Sequence, residues 1–128
     1  GNFVLFEPDG AEGVFAQVEV GSDVANLGAR LTESGTYRVT TGEILGQVAT
    51  LVAENGTWRP LAAGEAAPAG AETTTLQTVT LSDVYVTRGA PSRENVDSVV
   101  GRLAIRPITH PNEILAANGF QVQALFDG

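Results

Sequence analysis

Residues 41 to 61, TGEILGQVATLVAENGTWRPL, constrain the fold more than any other stretch, because one turn there forces two extended runs together. Ile44, Leu45, Val48, Leu51 and Val52 are apolar and partly β-branched. Glu54-Asn55-Gly56 supplies positive φ, and Thr57-Trp58-Arg59 resumes an extended pattern that Pro60 stops. The stretch predicts a β-hairpin carrying the chain's only tryptophan.

The flanking sequence repeats this grammar. Asn2 to Phe6, NFVLF, has high β-propensity and runs into the turn residues Glu7-Pro8-Asp9-Gly10. Such a strand either closes the protein's own sheet or adds to a neighbouring molecule. Val14 to Val20 approaches strict alternation and predicts a half-buried strand, ended by Gly21-Ser22-Asp23, with a short turn at Asp23 or Asn26. Thr36 to Thr40 is a further short strand. Ala62 to Glu72 is small-residue sequence broken by Gly64, Pro68 and Gly70, and predicts a surface loop. Thr73 to Val86 carries the longest β signal, bent at Ser82-Asp83. Ser92 is placed to cap a helical turn over Arg93 to Val99. Arg102 to Arg106 alternates again, and Pro111 to Asn118 predicts the clearest helix, with Pro at its first position and Asn118-Gly119 as its stop. Phe120 to Phe126 predicts a terminal strand. Together these runs predict a mainly β, β-rich α+β fold: a small barrel- or sandwich-like domain with one or two short helices.

A chain of 128 residues fits one domain with a real core. With 43% hydrophobic and 17% charged residues it is expected to fold, and its apolar runs are too short to cross a bilayer as helices. The formal charge of −8, with seven scattered arginines as the only basic residues besides His110, argues against a nucleic-acid partner. The absence of lysine removes Schiff-base chemistry, and the absence of cysteine removes disulfides and thiolate sites.

No catalytic, cofactor-binding or metal-ligating residue is assigned from the sequence. His110 precedes Pro111 and reads as a cap or surface residue, and none of Ser22, Ser34, Ser82, Ser92 or Ser98 lies in a nucleophile motif. Glu7, Asp9 and Glu12 lack the ligand spacing of a calcium loop. The fifteen glycines form neither a dinucleotide fingerprint nor a phosphate loop. Trp58 is placed to pack in the core or at a subunit interface, with Arg59 and Pro60 beside it; the alternative is stacking on a sugar or a base, with the nearby carboxylates completing a sugar-binding site.

The order of GEILGQV (Gly42 to Val48), WRPLA (Trp58 to Ala62), a small-residue loop, a long strand and the ending from Asn112 to Leu125 resembles the head-decoration proteins of tailed bacteriophages, the lambda D-like group. The insertion after Pro91 is longer than in the commoner pattern, and the N-terminus begins with a strand where many members carry a polar arm. The resemblance implies a structural, non-enzymatic protein on the outer surface of the virion head, made in the host cytoplasm. It further implies a homotrimer that clamps major capsid protein subunits, needing no cofactor, nucleic acid or membrane. Residues 1–13 would then be a capsid-contacting strand or arm, with Asn2, Phe3, Val4, Leu5 and Phe6 as contacts, and 14–128 a single decoration domain. Trp58, Arg59 and Pro60 would lie at the oligomer interface. On this reading, a chain lacking residues 1–7 stays folded but no longer binds capsids. The alternative from the residues alone is a secreted or surface-layer β-sandwich adhesion module.

Overall fold

The computed structural model of the chain describes residues 3–128. In chain order the strands are β1 (Val4–Phe6), β2 (Gln17–Val20), β3 (Ala25–Gly28), β4 (Gly35–Thr40), β5 (Ile44–Leu45) and β6 (Ala49–Glu54). They continue with β7 (Thr57–Pro60), β8 (Thr73–Leu76), β9 (Val79–Thr80), β10 (Asp83–Arg88), β11 (Leu103–Pro107) and β12 (Val122–Phe126). A single helical turn, α1 (Glu94–Asp97), follows β10, and a 3-10 turn spans Pro111–Glu113. The protein is therefore mainly β, built from several small sheets, with no closed barrel among the described residues. It divides into two compact units, residues 1–43 with 81–128, and residues 44–80, a division that falls inside the span 14–128 read as one domain.

The first unit is organised on β4, which lies between β1 and β10 in an antiparallel sheet. Thr36, Tyr37, Arg38 and Thr40 are all buried, so this strand is covered on both faces although half of it is polar. Burial of that kind is stable only when each polar group finds a partner, and among the described residues no buried side-chain nitrogen or oxygen lacks one. Gly35 opens the strand at φ +134, where a Cβ would meet Pro8 Cβ at 2.5 Å and Ser92 Oγ at 3.0 Å. Only glycine fits there. β1 is occupied on both sides: it pairs with β4, while the Leu5 carbonyl accepts from Gly13 N at 2.8 Å and Phe6 bridges to Glu12.

Several expectations change on this framework. β2 is exposed along its length rather than half-buried. Of the two turn positions expected, the chain turns at Asp23, where Gly21 N donates to the Val24 carbonyl at 2.8 Å, while Asn26 lies in a strand, since Ala25–Gly28 pairs back on β2. Ser92 does not cap α1. Its hydroxyl accepts from Thr36 N at 2.8 Å instead, and Arg93 stands at the N-cap without a side-chain bond. The helix expected over 111–118 is only the turn Pro111–Glu113, because Ile114 is already extended at ψ 115. One turn fixes several dihedrals for few hydrogen bonds, so a short run continues only if packing supports it. Here Ile114 turns away to line a groove with Pro111.

The second unit holds one three-stranded and one two-stranded antiparallel sheet. β6 lies between β7 and β8, and β5 pairs with β9. The predicted hairpin is present as β6–β7, with Asn55 at φ 52 and Gly56 at φ 78 forming the two-residue turn. Ile44 and Leu45, expected to extend its first strand, leave it to pair with Thr80 and Val79. The long β signal from Thr73 is consequently cut into β8, β9 and β10.

Candidate functional site

Two features of the first unit concentrate side-chain chemistry: a buried polar cluster and an apolar groove. The cluster centres on Arg38, which is 1% exposed. Its Nε donates to Asp83 Oδ1 at 3.0 Å and its Nη2 to Asp83 Oδ2 at 2.8 Å, a bidentate pair from β4 to the start of β10. Nη1 donates to the Ser98 carbonyl at 2.8 Å and to the Asn95 carbonyl at 3.3 Å, so one guanidinium also ties down the end of α1. Asn95 completes the tie. Its Nδ2 donates to the carbonyls of Glu7 at 2.7 Å and Thr36 at 2.9 Å.

His110 belongs to the same interior. Its Nδ1 accepts from Asn112 N at 3.0 Å, which assigns the proton to Nε2, and Nε2 faces the Ser92 carbonyl at 2.8 Å and Thr36 Oγ1 at 3.2 Å. The expectation of a cap is met at Asn112, but the residue is buried at 4% exposure rather than on the surface. Nε2 addresses the Ser92 carbonyl, whereas the Ser92 hydroxyl is engaged by Thr36 N, so the pair has no nucleophile–base geometry. Among the described residues, no three His, Cys, Asp or Glu side chains gather as metal ligands would.

The groove, of about 440 Å³, is lined by Leu81, Asp83 and Tyr85 of the β10 region, Leu103, Ile105 and Pro107 of β11, and Pro111, Ile114 and Phe120. Register explains why it is apolar. Leu103, Ile105 and Pro107 of β11 stand opposite Phe126, Ala124 and Val122 of β12, so one face of this two-stranded sheet is entirely apolar. Most of that face is uncovered, with Ile105 52% and Phe126 67% exposed, while Pro107 at its end is buried. Tyr85 sits at the groove's polar end, with the Arg38 guanidinium 5.6 Å from its ring centre. Burial pushes the Tyr85 phenol above its ordinary value; Arg38 opposes that rise and Asp83 adds to it.

The residues assigned from the resemblance are dispersed. Asn2 lies outside the described residues. Phe3 is exposed, while Val4, Leu5 and Phe6 form β1 within the chain's own sheet and Leu5 is 3% exposed. Trp58 stands 48% exposed on β7 opposite Ala53. Arg59, its neighbour, points to the other face, where it binds Glu54 at 2.8 Å and Glu65 at 2.9 Å. Pro60 pairs with Leu51. Trp58 and these carboxylates therefore do not converge on one site. Neither the groove nor the Arg38 cluster was read from the sequence, and only the Leu103–Ile105–Pro107 alternation signalled either.

Three exposed carboxylates are held below their ordinary values by arginines: Glu65 chiefly by Arg59 and then by Ala62 N, Asp97 by Arg93, and Asp127 by Arg102. A depressed folded value stabilises the fold above the unfolded value, and the contribution is lost as pH falls through the folded one. Thermal melts are therefore expected to carry the full support of these pairs at neutral pH and to lose it only below the usual carboxylate range. Added salt should shrink that loss, since the pairs are solvent-exposed. A loss that salt leaves unchanged would assign the acid sensitivity elsewhere.

A family model described as DUF4198, a domain of unknown function, matches residues 1–128. No curated protein and no solved structure matches the chain.

Proposed function

We propose that this chain, which belongs to the DUF4198 family, is a non-catalytic β-rich interaction module of the secreted or cell-surface kind, and that it binds a partner protein through the groove between β10 and β11. The observation that carries this reading is the largely uncovered apolar face of β11 and β12, whose Leu103, Ile105 and Pro107 also line the groove. Large contiguous apolar surface is costly in water and commonly marks a contact site. The polar groups support the same reading from the other side. Arg38, Asp83, Asn95 and His110 are spent on holding β1, β4, β10 and α1 together, which leaves the groove with hydrophobic recognition as its main resource.

Ile105→Asp tests it. A fluorescent probe of apolar surface is expected to bind the native protein and to lose the groove's share of its signal in the variant, while the melting temperature barely moves because Ile105 is already half exposed. An unchanged signal would remove the groove from the account. A second reading, a trimeric decoration protein on a phage head, is favoured by the many other exposed large apolar residues, among them Val18, Val20, Val84 and Val86. Light scattering separates the two: a monomer supports the module, and a compact trimer supports decoration.

A further inference from the structure

We infer that Asn118 is a site of spontaneous backbone modification, converting to aspartate and isoaspartate through a succinimide, and that Asn55 is protected from the same reaction by its hairpin. Asn55 and Asn118 are the two asparagines in the sequence followed by glycine; the others precede Phe3, Leu27, Val96 and Glu113. Glycine matters because the attacking atom is the backbone nitrogen of the next residue, which a side chain would shield. In the reaction the Gly119 nitrogen attacks the Asn118 side-chain carbonyl carbon and the new C–N bond closes a five-membered ring. The bond to the side-chain amide nitrogen breaks, and ammonia leaves with the proton given up by Gly119. Water then opens the ring at either carbonyl, giving aspartate or an isoaspartate whose main chain is one carbon longer.

Ring closure requires the Asn–Gly peptide to swing towards its own side chain, so the barrier depends on what holds that peptide. Around Asn118 little does. The Asn118 and Gly119 N–H groups share one acceptor, the Leu115 carbonyl, at 3.0 and 3.1 Å, and this bridge is isolated from any strand. Every residue from 115 to 120 is exposed, and a Cβ at Gly119 would meet nothing within 4 Å. Opening this loop breaks no sheet.

Asn55 is placed differently. It is held at φ 52 inside the two-residue turn, closed by the Glu54–Thr57 pair and by Thr57 Oγ1 donating to the Glu54 carbonyl at 3.0 Å. β6 is fastened on its other side by four residue pairs with β8. Rotation of the Asn55–Gly56 peptide has to break that turn.

The test is peptide mapping by mass spectrometry after incubating the full folded chain at mildly alkaline pH, with an arm unfolded in urea. In the folded arm, the peptide containing Asn118 is expected to gain the mass of an amide-to-acid change several-fold faster than the peptide containing Asn55, and to give an isoaspartate product. In urea the two rates are expected to converge. Asn118→Gln should abolish the fast conversion and leave the slow one. Equal rates in the folded arm, faster conversion at Asn55, or an intact Asn118 that converts only in urea would each overturn the inference.

Discussion

Asp83→Ala is expected to destabilise the first unit by about 3–5 kcal/mol, because it leaves the Arg38 guanidinium buried without its counter-charge. The value follows from burial on both sides of the pair, with side chains 1% and 11% exposed, and from its bidentate geometry. Replacing both partners by apolar residues should cost much less, since an intact buried pair contributes little beyond its own desolvation cost. Arg38→Met alone should fall between these. It removes the charge but strands the Ser98 and Asn95 carbonyls that Arg38 also serves. Urea unfolding of the three variants orders them, and an Asp83→Ala protein as stable as the parent would show that the pair is not buried as described.

Leu5→Ala is expected to cost about 2–5 kcal/mol, as for other large-to-small changes in packed interiors. It distinguishes a core strand from a free arm, because trimming a side chain on an unpaired arm would leave stability unchanged. β1 also supplies backbone groups that the interior needs, and the Glu7 carbonyl just beyond it accepts from Asn95. Removing residues 1–7 should therefore unfold the first unit rather than yield a folded protein with altered binding. A truncated chain with parental melting behaviour would restore the arm. Phe3 is the useful control: it lies before β1 and is 41% exposed, so Phe3→Ala should have a small effect.

The difference between these two sites also shows what the sequence made legible. The β6–β7 hairpin was readable because Asn55-Gly56 dictates a turn locally, and Thr36–Thr40 because its alternation is short and bounded by glycine and threonine turns. Pro111 and Asn118-Gly119 misled for a related reason. Both are helix punctuation and turn punctuation at once, and only Ile114 turning into the groove decides between them. β3 was missed because Ala25-Asn26-Leu27-Gly28 has little strand preference of its own and is extended by its pairing with β2. The break of the long β signal at Gln77 and Thr78 reflects a choice of partners, β8 joining β6 and β9 joining β5, which no local pattern encodes. Asp83 was legible as a bend, but its role needs Arg38, 45 residues away in sequence. Asn95 likewise has partners that lie far off in sequence, its amide reaching the carbonyls of Glu7 and Thr36, 88 and 59 residues away.

The pairing of Thr40 with Asp83 has a consequence for how the protein comes off the ribosome. Every ladder of the second unit closes within residues 44–80, so it can assemble as soon as that span has emerged. The central strand of the first unit must wait, half-clothed, until the chain beyond residue 82 arrives to shield it. Contacts so distant in sequence slow folding and leave a sticky intermediate exposed. The polar character of Thr36, Arg38 and Thr40 then has a use before the native state exists: it keeps the waiting strand from being a purely greasy edge during synthesis.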